Sequence, residues 1–133
     1  MFYDTAAFKK PLAGTRDDRY HAVVVLLPRE GKRLIAKGAK QTPEIQRVLR
    51  DGWLIISRGI TPAYLLEEIT GQVGPKANYT AGIITQGRLS GVLAEDQVGP
   101  WVMRDGKLVD IVAPEALGQM EAKDVSIKGA NAI

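Results

Sequence analysis

The stretch Trp53-Leu54-Ile55-Ile56-Ser57-Arg58-Gly59-Ile60-Thr61-Pro62-Ala63 sets the architecture of this chain. Four bulky residues in a row, Trp53 to Ile56, show no polar alternation. They read as a strand covered on both faces, as in parallel sheets. Ser57, Gly59 and Thr61 then form a turn of small and hydroxyl residues. Thr61 is a favoured N-cap, and Pro62 suits a first helical position, where no N–H is required. Leu65, Leu66 and Ile69 share one face, so a helix over 62–70 follows. A strand that runs into a helix N-terminus leaves free N–H groups and the positive dipole end facing outward, which suits an anion. Two readings stand side by side. Ser57, Arg58, Gly59 and Thr61 are contacts for a phosphate, or they are an ordinary strand-to-helix turn.

Upstream of this stretch, Thr42-Pro43-Glu44 repeats the helix-start signal, and Ile45, Val48 and Leu49 give the apolar stripe. Arg47 and Arg50 suit its C-terminal end, and Asp51-Gly52 stops it. Arg33 to Ala36 admits two readings: a strand paired as a hairpin with the preceding run, or, in preference, a helix with Leu34, Ile35, Gly38 and Ala39 on one face. Ala22 to Leu27 carries a strong strand signal that Pro28 ends. Residues 1–20 read as an N-terminal arm, and 21–133 as a single α/β domain.

Downstream, Gly71 to Pro75 is a loop and Thr80 to Thr85 a strand. A right-handed crossover through helix 62–70 would set that strand parallel to 53–57. Residues 86–99 read mostly as loop, with a short strand near Leu89 to Leu93. Asp105-Gly106 between Trp101–Arg104 and Lys107–Asp110 is the clearest hairpin signal. A short helix begins at Pro114, and Asp124 to Lys128 is a last strand, leading into the turn Gly129-Ala130-Asn131. Such a turn ordinarily leads into more sheet. The expectation is therefore that another subunit or a longer chain covers this strand, in preference to a bare edge.

Composition excludes several classes. Eighteen Lys and Arg stand against fifteen Asp and Glu, with a net charge of +3 and no run of like charge. The basic stripe of a nucleic-acid binder is missing. With no cysteine there is no disulfide or thiolate chemistry, and His21, the one histidine, has no spaced partners for a metal. No apolar stretch reaches the ~20 residues of a membrane span. Met1 to Phe8 lacks the charged and apolar regions of a signal peptide, so a cytoplasmic address is expected. Glu67 and Glu68 are adjacent and do not face each other, so they read as solvated helix surface. Glu95 and Asp96 sit in the irregular segment as weaker carboxylate candidates. Trp53 and Trp101 read as core or interface anchors.

The runs Arg33–Gly38, Asp51–Thr61, Glu67-Glu68 and Asp124–Ile133 together resemble the first half of a superfamily. It comprises CoA transferases, sugar-phosphate isomerases and the lactate-utilisation domain. The resemblance implies an α/β fold with an open, mostly parallel (mixed) sheet flanked by helices, Rossmann-like, with the hairpin near 101–110 added. It implies a phosphate, nucleotide or CoA-ester group against the loop after the first central strand. Gly129 and Asn131 would line the same crevice if both strands end on one sheet edge. No nucleophilic carboxylate and no base-plus-lysine pair can be placed, so no reaction and no cofactor is assigned. The function expected is binding of a phosphorylated, nucleotide or CoA-linked small molecule. The alternative is a non-catalytic assembly or regulatory module, a homo-oligomer or one completed by a partner subunit or a C-terminal half.

Overall fold

The computed structural model describes residues 23–130. The expected arm at 1–20, His21 and Asn131 lie outside the described residues. In chain order the elements are α1 (Pro28–Lys40), α2 (Pro43–Val48), β1 (Trp53–Ile56) and α3 (Ile60–Thr70), then β2 (Gly82–Thr85) and β3 (Arg88–Gly91). They are followed by β4 (Trp101–Arg104), β5 (Lys107–Val109), α4 (Ala113–Leu117) and β6 (Val125–Ile127). This is an α/β protein. Its main sheet has four strands in the order β5-β4-β1-β6, with β2 and β3 forming a separate two-stranded ribbon.

β1 is central, as its unbroken apolar run requires. Leu54 and Ile56 point to one face and pack with Ile45 and Val48 of α2, Leu66 of α3 and Met103 of β4. Ile55 points to the other face and packs with Val102 and Ala116. Alternation along a strand thus places helices on both sides of the sheet. β1 runs parallel to β6, with Leu54 opposite Val125 and Ile56 opposite Ile127. It runs antiparallel to β4, with Trp53 opposite Arg104. Since β4 and β5 are also antiparallel, one pairing of the three is parallel, so the sheet is mixed and not mostly parallel as expected: the Asp105-Gly106 hairpin brings β4 beside β1 and fills the side a parallel strand would have taken.

Four local expectations change. Thr61 is not the N-cap: α3 begins at Ile60, its cap is Gly59, and the Ala63 amide donates to the Gly59 carbonyl at 3.0 Å. Pro62 therefore sits third in the helix, where its missing N–H is still no loss. The strand at 80–85 does not join β1, whose two sides are already taken by β4 and β6. It folds back locally on β3 through Gln86 and Gly87, both at positive φ (50° and 73°), the pairing that a tight hairpin turn needs. Pro28 does not merely stop a strand; it starts α1, five residues before the expected helix. Leu27 is the cap, and its amide donates to Glu30 Oε2 at 2.8 Å. Val23 to Leu27 consequently form no strand. The run leads into the cap in no sheet, and its side chains are exposed.

Two aspartates anchor the N-terminal end of β1. Asp105 Oδ1 accepts the Gly52 N–H at 2.9 Å, and the Asp105 N–H returns to the Gly52 carbonyl at 3.0 Å. Asp124 accepts the Trp53 N–H and the Glu121 N–H, both at 2.8 Å. Burial pushes the Asp124 carboxyl up, but the N–H bonds from Glu121 and Trp53 and the charges of Lys123 and Arg104 outweigh it and hold it below its ordinary value. The β4–β5 hairpin turns as expected at Asp105-Gly106. Gly106 has φ +77°, and a Cβ there would lie 2.6 Å from the Leu49 carbonyl oxygen. Gly106→Ala should therefore lower unfolding stability by about 1–3 kcal/mol. Urea denaturation should show a lower midpoint with an unchanged slope; an unchanged midpoint would contradict the packing described.

Candidate functional site

β1 and β6 are parallel, so their carboxyl ends emerge together. The Ser57 N–H donates to the Ile127 carbonyl at 2.9 Å, carrying the ladder one residue past β1. Beyond it, Gly129 lies against the start of α3: a Cβ at Gly129 would be 3.1 Å from Pro62 Cδ. Four of the expected contacts, Arg58, Gly59, Thr61 and Gly129, consequently line one cleft of about 260 Å³. Ser57 does not line it, since its amide is spent in the sheet. Lys32 of α1 and Thr80 also face the cleft. The sequence offers no local signal for either; the packing of α1 on α3 delivers Lys32, and the loop ahead of β2 delivers Thr80.

The cleft's electrostatics are positive. Arg58 is a positioned cation, with Nε donating to the Gly99 carbonyl at 2.7 Å and Nη1 to Gln97 Oε1 at 2.8 Å. The Gly59 amide is already committed to the Tyr79 carbonyl at 2.6 Å. The amides of Ile60 and Thr61 follow in the first turn of α3, where the helix itself supplies no acceptor. The dipole of the eleven-residue α3 adds partial positive charge at this end. An oxyanion with several acceptor oxygens matches such a set; a cation or an apolar group does not.

No family model, no curated protein and no solved structure matches this chain. Among the described residues no group of His, Asp or Glu is arranged to hold a metal, and no helix is long and apolar enough to cross a membrane. Glu95 and Asp96 are exposed on a 3₁₀ turn and do not line the cleft. Trp101 packs against the core on the α2–α3 side and Trp53 against the core on the α4 side.

Glu67 departs most from expectation. It is 4% exposed, not solvated surface. Its position four residues after the fully buried Ala63 puts both on the same side of α3. Arg33 Nη2 donates to Glu67 Oε2 at 2.7 Å and Nη1 to Glu68 Oε1 at 2.9 Å, so one guanidinium joins the two neighbours. Lys76 pairs with Glu67 Oε1, which also accepts the Gly74 N–H at 3.3 Å. Tyr64 lies under both cations, 4.4 Å from Arg33 Cζ and 5.0 Å from Lys76 Nζ. Burial pushes the Glu67 carboxyl up. The bonds from Lys76, Gly74 and Arg33 more than offset this and hold it below the ordinary carboxylate range. Both carboxylate oxygens of Glu67 have donors, which is the signature of a structural clamp between α1, α3 and the 74–76 loop. A depressed folded-state pKa stabilises above the unfolded value of about 4.3 and is lost as pH falls below it. Thermal unfolding followed from pH 7 to pH 3 should show an acid-side loss of stability. Glu67→Gln should flatten that loss and cost about 1.5–3 kcal/mol at pH 7; an identical acid limb in the variant would contradict the assignment.

Proposed function

We propose that the cleft at the carboxyl end of β1 binds a small phosphorylated molecule of the nucleotide, sugar-phosphate or CoA-linked class. One observation carries the reading: Arg58, Lys32 and the first amides of α3 converge where two parallel strands end. Ligands of open α/β sheets bind outside the carboxyl ends of their strands, and phosphates favour helix N-termini. On this reading the β1–β6 pair is the parallel part of an open, Rossmann-like sheet. The resemblance to the CoA transferase, sugar-phosphate isomerase and lactate-utilisation superfamily supports the same position for the anion. The phosphoryl oxygens take the Ile60 and Thr61 amides, the Thr61 hydroxyl and the Arg58 guanidinium. Gly59 and Gly129, lacking side chains, keep the floor open. The cleft supplies binding and orientation. Its described lining residues include no carboxylate and no histidine.

A second reading, an assembly module completed by a partner, is favoured by a separate observation. Val23 to Leu27 are 44% to 88% exposed, and Leu34 and Ile35 of α1 are exposed as well. Contiguous apolar surface of this kind marks interaction sites in stable proteins.

Calorimetric titration with inorganic pyrophosphate, a nucleoside diphosphate and CoA tests the first reading. Saturable binding that weakens with added salt is expected. Arg58→Ala and Lys32→Ala should each weaken it about tenfold, equivalent to about 1.4 kcal/mol. Absence of saturable binding to all three, or binding that is indifferent to both substitutions, would contradict it.

A further inference from the structure

Among the described residues the main sheet ends on β6, which pairs with β1 on one side only. Natural sheets blunt such edges with charge. The opposite edge strand, β5, does so with Lys107, and Asp110 follows it. The three residues of β6 are Val125, Ser126 and Ile127, and its charges are confined to the flanking Asp124, whose carboxylate is turned to the Trp53 and Glu121 amides, and Lys128. Beside β6 runs a groove of about 190 Å³ between it and α1, lined mostly by Ile35, Ala36, Ala39, Leu65 and Ile127, with Thr61 and Lys128 also in its lining. A strand with no charge within it, flanked by a mostly apolar groove, suits an added strand whose alternate side chains are apolar.

The chain carries such a strand. Val23-Val24-Val25-Leu26-Leu27 has the composition of a buried β-strand, yet in the structure it lies in no sheet and Val25 is 88% exposed. Its own β6 is out of reach. Leu27 caps α1 directly, with φ −67° and ψ 153°, and Pro28 is already the first helical residue. A strand lying in the sheet beside the helix that follows it needs a connection of about 2–6 residues. Here there is none, so reaching β6 of the same chain would unwind the first turn of α1 and break its cap. Two such segments paired only with each other would make an isolated two-stranded ribbon, which is marginal in water. Addition to β6 instead extends a formed four-stranded sheet.

We infer that Val23–Leu27 of one copy of this chain adds as a fifth strand to β6 of a second copy, with alternate side chains seated in the α1–β6 groove. The exchange is reciprocal, so a two-fold dimer closes and leaves neither segment exposed. This rests on the second reading above and names its partner.

The chain has no cysteine, so single introduced thiols report contacts without ambiguity. Val24→Cys and Val25→Cys, on opposite faces of the segment, are each mixed with Ser126→Cys, an exposed position on β6. The mixtures are oxidised and run without reductant, beside light scattering of the unmodified chain. The expected result is a particle of twice the 14.5 kDa chain mass, with one of the two mixtures giving a cross-link between the segment and β6 in excess of either like-with-like disulfide. Neighbouring strands bring Cα atoms within the range a disulfide spans, whereas separations beyond about 7 Å do not. A dimer whose cross-links join only segment to segment, or none at all, overturns the strand addition and leaves the assembly reading standing. A monomer at every concentration overturns both.

Discussion

The parallel pairing of β1 with β6 is the constraint on which the rest of this structure depends. Both strands are short, four and three residues, and neither would persist alone. The pair is fastened at each end. Asp124, just ahead of β6, takes the Trp53 amide at the start of β1, and the Ser57 amide reaches the Ile127 carbonyl at its end. Between these fastenings, Leu54, Ile55 and Ile56 fill the core on alternate faces. Because the strands share a direction, their exits share an edge. That is why residues as distant in sequence as Arg58 and Gly129 line one cleft. An antiparallel β6 would have sent Gly129 to the opposite end of the sheet.

Around this pair the polar groups divide into two kinds. Those at Glu67 are closed: Arg33, Lys76 and the Gly74 amide satisfy the carboxylate, and its burial is offset by those bonds. This clamp ties α1 to α3 and so sets where Lys32 stands. The groups at the cleft face outward, with an arginine braced from behind by Gln97 and Gly99 and a helix start that supplies amides without internal acceptors. A structural ion network and the proposed binding surface thus share α1 and α3 but not the same residues.

Much of the fold was legible in sequence because it is local. The unbroken run at 53–56, the Asp-Gly hairpin and the helix at 43–48 each follow from a few adjacent residues. What was not legible depended on competition between distant elements. The strand at 82–85 looked like a neighbour of β1, but β4 and β6 hold both sides, and the Gln86-Gly87 turn offered a nearer partner. Val23 to Leu27 has every local mark of a strand, yet the flush start of α1 at Pro28 denies it a place in its own sheet. Adjacency to Glu68 suggests a solvated Glu67, whereas its place four residues after Ala63 on the packed face of α3 buries it. At the cleft, Arg58, Gly59, Thr61 and Gly129 were legible through the strand–turn–helix pattern and the superfamily resemblance. Lys32 was not, since helix packing alone brings it there.

The account centres on a phosphoryl group held by the first amides of α3. Backbone amide NMR during a pyrophosphate titration reads those atoms one by one. Saturable shifts concentrated at Ile60, Thr61 and Gly129, with a smaller response at Gly59, whose amide is already bonded to Tyr79, are the predicted result. Shifts scattered over surface lysines, or none at the start of α3, would contradict it.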